Sequence, residues 1–575
     1  MENHKTGPFM NQLPLESFAP PFAADSYSEK DAWRLSPFFT NLDKSVYVPL
    51  IFAPELIGAL CSRTSRATED LRKIFLKEFV LPFVEPERTE KDTDEAWEEK
   101  RRYSEALQEF IEFLHKHPFL ELFSNPRARS FYVKWLAQYG DDSIAQMAGG
   151  HLVFGALSQI AIKHFEDQRI GLAPIEKSTR YVNYSQKVNG KYLYYTDPTL
   201  KDMGLAEEYE TAMDALFETY TSLIPKLTEW LRGRFPEEKA SVVEKKAFDT
   251  LRGLLPTSTL SQVSFFGNGQ AFEHMINRSA KHPFGEILWA AARAKHELNQ
   301  VTPSFLRRIE GEMAQEYQEY LANKGSRVYP LVKELIGDRP LSTTGEPEVR
   351  LIECDPEGVE KVITGILFSA PQNHASWNEI LERVRRISES DKRHVVAQYL
   401  AGRKERWQKV GRAFENTYVR FEIVMDIGAW RDLHRHRMLT QERQDFSCFH
   451  GYNVPQEIVG AGLEEEFRAA IDPVEELHIK IKRREPFLAQ YAVTLAHRVR
   501  FMQWQNLRSF FWESELRTIP EGHPDYRKIE QQKFRLIEKA YPLITEFMLV
   551  NLGEYDFARR GQEEKTQKKL QQLQF

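Results

Sequence analysis

Apolar residues recur every three to four positions from Leu56 through PELIGALCSRTSRATEDLRKIFLKEFV, a spacing that predicts helix. Residues 204–233 repeat the pattern more strictly. Tyr209, Met213, Leu216, Phe217, Tyr220, Leu223, Leu227 and Leu231 form one stripe of an amphipathic helix. Residues 141–166 (SIAQMAGGHLVFGALSQIAIKHF) read as one long buried helix whose Ala, Gly and Ser suit close packing. Helix is expected to dominate again from Trp377 to about Leu552, including VRFEIVMDIGAWRDLH and the amphipathic run 463–483. VRLIECDP predicts a strand ending at an Asp-Pro turn. The almost wholly charged run 85–105 predicts a solvated helix face or loop, and GDRPLSTTGEP at 337–347 predicts a linker.

These elements occur twice in the same order. In each half an aromatic-rich segment leads to an Asn, Asn268 or Asn506, followed by a helix ending near an Arg, Arg278 or Arg517. Four segments follow: an extended N-terminal arm (1–39), a first domain (40–335), a second domain (348–555) and a polar tail (556–575). Two domains also suit the length, since 575 residues exceed one ordinary core.

Composition narrows the function. A net charge of −6 disfavours a general nucleic-acid binder, so local basic clusters stand out. No apolar run reaches the roughly 18 residues a membrane span requires. Cys61, Cys354 and Cys448 are far apart, which points away from a disulfide framework or structural zinc site and towards a reducing cytoplasm. Cys448 reads as a small buried residue.

The candidate chemistry centres on Arg435-His436-Arg437. Adjacent cations repel, so an anion is the natural offset: a phosphate, a carboxylate or a flavin dipole. A solvated basic turn or interhelix salt bridges would also explain the run, and His434-x-His436 could form half a metal site. Ser178 and Arg180 are compatible with a phosphate site or with a capped turn. Arg252 is compatible with substrate binding or with a simple salt bridge. Asn506, Arg508 and Arg517 can line one helix face, as ligands or as a structural hydrogen-bond network. Trp504, Phe510, Phe511 and Trp512 could stack on a ring or fill a core.

At these residues the chain resembles the flavin-dependent thymidylate synthases. Their hallmark is Arg-His-Arg, seven residues, Ser, any residue, Arg. The second half carries Arg435-His436-Arg437, with Asn506-Leu507-Arg508 and Leu516-Arg517. The first half carries the other end, Glu176, Ser178, Arg180 and Tyr181 in EKSTRY, together with Arg252 in RGLLP. Each half departs where the other conforms. The triplet positions of the first half read Gln168-Arg169-Ile170, and the Ser and Arg positions of the second half read Asp445 and Ser447. The family's Glu-His reads Gln146-Met147.

The resemblance implies an α+β fold: two tandem thymidylate-synthase-complementing-type domains, helix-rich with small antiparallel sheets. It implies reductive one-carbon transfer to dUMP, giving dTMP, with FAD as cofactor and NADPH and methylenetetrahydrofolate as co-substrates. Arg435 and Arg517 would act at the reacting atoms. Arg435, His436, Arg437, Asn506 and Arg508 would hold the flavin. Glu176, Ser178, Arg180, Arg252 and Arg517 would hold the nucleotide. The split motif suggests one composite site built from both halves, in a cytoplasmic homodimer that mimics a tetramer. The alternatives are a non-catalytic paralogue that binds nucleotide or flavin, and a flavoenzyme acting on another pyrimidine.

Overall fold

The computed structural model describes residues 13–122, 125–139, 142–168, 171–337, 348–557 and 571. The linker at 338–347 and most of the polar tail lie outside the described residues. Along the chain come α1 (Glu29–Leu35), β1 (Val46–Tyr47), α2 (Pro54–Thr64), α3 (Asp94–Lys116), β2 (Gly149–Ser158), α4 (Gln159–Glu166) and β3 (Leu172–Glu176). Then follow α5 (Ala206–Arg234), α6 (Ala240–Leu251), β4 (Leu260–Asn268), α7 (Gly269–Ser279) and α8 (Gly285–Val301). Later elements include β5 (Glu348–Cys354), β6 (Tyr418–Asp426), α9 (Ile427–Leu433), β7 (Thr440–Arg443), α10 (Glu464–Lys482), β8 (Arg498–Asn506), α11 (Leu507–Arg517) and α12 (Pro524–Ala540).

Among the described residues, two four-stranded antiparallel sheets share one topology. The orders are β1-β2-β4-β3 and β5-β6-β8-β7. The central pairs β2–β4 and β6–β8 are antiparallel, with His151 opposite Phe266 and Ile423 opposite Phe501. Each middle strand runs directly into a helix through a capping side chain. Ser158 Oγ accepts from Ala161 N at 3.1 Å, and Asp426 Oδ1 from Ala429 N at 2.7 Å. The last strands end alike: Asn268 caps α7 and Asn506 caps α11, each accepting at 2.9 Å from the residue three positions on. The fold is therefore α+β, helix-rich, with small antiparallel sheets in two tandem domains.

The chain divides into two compact units. The first comprises residues 1–223, 255–340 and 468–492, and the second 224–254, 341–467 and 493–575. The expected stripe on α5, from Tyr209 to Leu231, is fully buried. The first unit contains a core built from Leu35, Tyr47, Leu60, Ile74, Phe75 and Val153. In the second, α12 packs on β5, β6 and α11, and the buried rings of Phe421 and Phe510 lie 6.0 Å apart.

Three expectations fail. Residues 141–166 are not one helix: a short helix Asp142–Gln146 gives way to β2, and helix resumes only at α4. Leu152, Val153 and Phe154 are consecutive and all buried, and a strand covered on both faces loses the alternation that would identify it. VRFEIVMD is also strand, β6. Its Val419, Phe421, Ile423 and Met425 point inward with a period of two. The N-terminal segment is not simply an extended arm. It contains α1, and Phe18 is buried against the start of α8, where a Cβ on Gly285 would collide with its ring.

Candidate functional site

In the second unit β6 delivers α9, and α9 ends at the basic triplet. Arg435 is exposed, while His436 and Arg437 are half-buried. Across from them α11 presents Arg517, whose Nε donates to His436 Nε2 at 2.8 Å. Loss of hydration, reinforced by the Arg517 and Lys533 charges, pushes the His436 imidazole down to about 3 against the pull of Glu513. His436 is therefore neutral near pH 7, and only a neutral ring can accept this bond. Arg517 also lies over the Tyr526 ring, 5.5 Å from its centroid. Its two terminal nitrogens have no protein partner among the described residues. The result is a guanidinium oriented through Nε with its forked end unspent, the geometry that takes a phosphate, a carboxylate or a carbonyl.

A fully buried polar cage lies beneath this pair. The inward row of β8 changes from Val499 and Phe501 to Gln503 and Gln505. Both amides donate to Glu513, at 2.8 and 2.9 Å. Lys533, with no exposed side-chain surface, donates to Gln503 at 2.8 Å and to Glu513 and Glu530 at 2.7 Å each. Burial alone would raise Glu513, but Lys533 and His436 bring it down to about 2. Glu530 goes up to about 7, through burial first and then Glu513. This cage fixes the helix that carries Arg517. Its signal in the sequence was the alternation in VRFMQWQN, with glutamines at the inward positions.

The other expected flavin residues are more occupied. Asn506 spends its Oδ1 on the α11 cap, and Arg508 pairs with Glu415. Of the nearby aromatics, Phe510 and Phe511 are core and Trp504 is exposed. Asp445 is exposed, and Cys448 is half-buried rather than buried.

Arg252 belongs to the second unit, although it precedes the triplet by 183 positions. Its Nη1 lies 3.7 Å from Asp432, and its Nε 3.7 Å from Asp249. The residue is 4% exposed, and its Nη2 has no partner. A cavity of about 500 Å³ opens on it, lined also by Asp426, Asn453, His523 and Asp525. Burial, then the Asp525 charge, pushes Asp426 up to about 8, so it offers a protonated carboxyl near neutrality. Asp432 and Asp426 were not singled out from sequence.

Glu176, Ser178 and Arg180 lie in the first unit. Glu176 is buried and accepts from Lys163 at 3.0 Å, and Lys163 also donates to Glu166 at 2.5 Å. Ser178 shapes a turn: its hydroxyl accepts from Arg180 N at 3.3 Å, and its N–H donates to Ser65 O at 2.9 Å. Arg180 is 8% exposed and lies 5.4 Å over Tyr181. Next to them Lys177, pushed down to about 8 by burial, donates to Thr68 O at 2.9 Å. Met147 is exposed, and Arg169 and Ile170 lie outside the described residues.

The fold defines a class: a tandemly duplicated, helix-rich α+β protein with small antiparallel sheets. The chain belongs to the thymidylate synthase complementing protein family, whose model matches residues 88–304 and 355–543. A UPF0159 protein of Chlamydia pneumoniae is 33% identical over 550 residues, covering 94% of this chain and 98% of the relative. A UPF0159 protein of Thermoplasma acidophilum is 29% identical over 496 residues, covering 80% and 96%. A flavin-dependent thymidylate synthase of Corynebacterium efficiens is 24% identical over 220 residues, covering 36% of this chain and 81% of the relative. No helix among the described residues is long and apolar enough to cross a membrane.

Proposed function

We propose that the protein is a flavin-dependent thymidylate synthase-like enzyme that methylates dUMP to dTMP, with FAD, NADPH and methylenetetrahydrofolate. One observation carries the proposal: Arg517, tied through Nε to a neutral His436, keeps both terminal nitrogens for a ligand. The donor set fits a phosphate-bearing, electron-rich cofactor. Arg435, His436, Arg437, Asn506 and Arg508 would hold FAD, which when bound supplies the hydride chemistry. Arg435 and Arg517 would orient the pyrimidine and stabilise charge on it. Glu176, Ser178, Arg180 and Arg252 would hold the rest of the nucleotide. The repeats 40–335 and 348–555, acting as a cytoplasmic homodimer, complete the proposal.

Asp445 favours a second reading. A carboxylate repels phosphate where the motif has Ser, which suits a non-catalytic nucleotide or flavin binder, or a changed pyrimidine substrate. Three measurements separate the readings: bound flavin in the purified protein, NADPH oxidation stimulated by dUMP, and rescue of a thymidine auxotroph. A protein that stays colourless after incubation with FAD refutes both enzyme readings. Flavin without a response to dUMP refutes dUMP as substrate.

A further inference from the structure

We propose that the first unit binds an uncharged nitrogen heterocycle of the nucleobase type in a cavity at the start of α7. The cavity measures about 520 Å³, within the ~300–1,000 Å³ of small-molecule sites. Gln146, Gln168, Asn268, Gln270, His274 and Asn277 line it. Five of these six are carboxamides. The sixth, His274, is pushed down by burial and by the Arg278 charge, so it too is neutral at pH 7.

The carboxamides have unspent functions of both kinds. Gln168 is 8% exposed. Its Nε2 donates to His164 O at 3.3 Å, while its Oε1 is buried without a partner. Asn277 is 4% exposed. Its Oδ1 accepts from Gln318 at 2.9 Å, which leaves its N–H groups without a partner among the described residues. Gln146 Nε2 donates to Gln270 Oε1 at 2.9 Å, leaving an acceptor on Gln146 and donors on Gln270. Such a set matches a ring edge that carries a donor beside an acceptor, as carboxamides match adenine. Tyr317, 42% exposed, lines the same cavity.

Charge sets the ligand apart from a nucleotide. The lining contains one fixed cation among the described residues, Arg308, and Glu273 engages it twice, at 3.0 and 2.7 Å. The second repeat has cations at the corresponding positions: Arg508 where the first has Gln270, and Arg435 where the first has Gln168. At these two positions the first copy carries carboxamides where the second carries guanidinium groups. This inference is independent of whether the second unit binds flavin.

The test is ligand-observed NMR and calorimetry on the full chain, wild type and Arg517→Ala, with adenine, adenosine and adenosine monophosphate as probes and the monophosphate comparison made on the variant. Adenine should bind, and the monophosphate should bind no more tightly than adenosine. Gln146→Leu and Gln270→Leu, both at the accessible side of the cavity, should each weaken adenine roughly tenfold with unchanged melting temperature. Arg517→Ala should leave adenine binding intact. Absence of adenine binding, insensitivity to both glutamine variants, or a clear preference for the monophosphate would each overturn the proposal.

Discussion

Lys533→Met removes the lysine cation from the buried cage under α11. The side chain is fully buried and donates three bonds, at 2.7–2.8 Å, to Gln503, Glu513 and Glu530. Methionine matches its shape, so packing loss is small. The loss is electrostatic: two carboxylates remain in a low-dielectric interior. Breaking such a pair costs about 3–5 kcal/mol, or roughly 6–20 °C in melting temperature for a domain of this size. Glu513 keeps two amide donors, whereas Glu530 keeps only the Ser514 hydroxyl, at 3.1 Å. Glu530, already raised to about 7, is therefore the group that takes up a proton. The penalty should be smaller at pH 6 than at pH 8.5, and Glu530→Gln should recover part of it at high pH. Urea unfolding followed by tryptophan fluorescence at both pH values measures this. A loss under about 1 kcal/mol at pH 8.5, or an equal loss with and without Glu530→Gln, would refute a charge-held cage.

Four further outcomes are expected. Arg517→Ala should abolish flavin retention while changing stability by less than about 1 kcal/mol, because the side chain is half-exposed; absorbance of the purified variant and its melting curve report both. Flavin affinity should show no step near pH 6.5, because His436 stays neutral down to about pH 3; a titration that reveals such a step would remove His436 as the acceptor for Arg517. Asn506→Ala and Asn268→Ala should each cost about 0.5–2 kcal/mol through loss of a helix cap, read by urea denaturation. Asp426 has a folded pKa of about 8 against an ordinary 3.8, so its contribution is fully present below pH 3.8 and lost as pH rises through 8. Stability should therefore fall between about pH 4 and 8 with Asp present, and Asp426→Asn should flatten that slope.

Periodicity alone located α5 and its buried stripe, because a helix with one wet face keeps its contrast. β5 was legible for the same kind of reason, since VRLIECDP ends in its own stop signal. β2 was not. Both faces are covered, and its small residues read equally well as tight helix packing. β6 was legible in principle, because Val419, Phe421, Ile423 and Met425 alternate. The helix α9 that follows without a break concealed the change of period at Asp426.

Most of the site chemistry was visible as residue types, but its couplings were not. Three adjacent basic residues pointed to an anion, yet the middle one is neutral, and nothing in the order of residues shows that His436 receives a bond from Arg517, 81 positions later. Nor does the sequence show that Arg252 clusters with the second unit rather than with its own repeat. The two copies make the distinction plain. Their strand orders and Asn caps coincide, so the backbone at Asn268 and Asn506 follows one plan. Two residues past each cap the chemistry diverges, to Gln270 in one copy and Arg508 in the other. A cap tolerates few side chains, whereas the position two residues beyond is free to differ: Gln270 lines a cavity and Arg508 pairs with Glu415. A duplicated scaffold can thus hold its geometry while one copy exchanges charge for carboxamides. Flavin should be sought at the guanidinium groups of the second copy, and an uncharged ring at the carboxamides of the first.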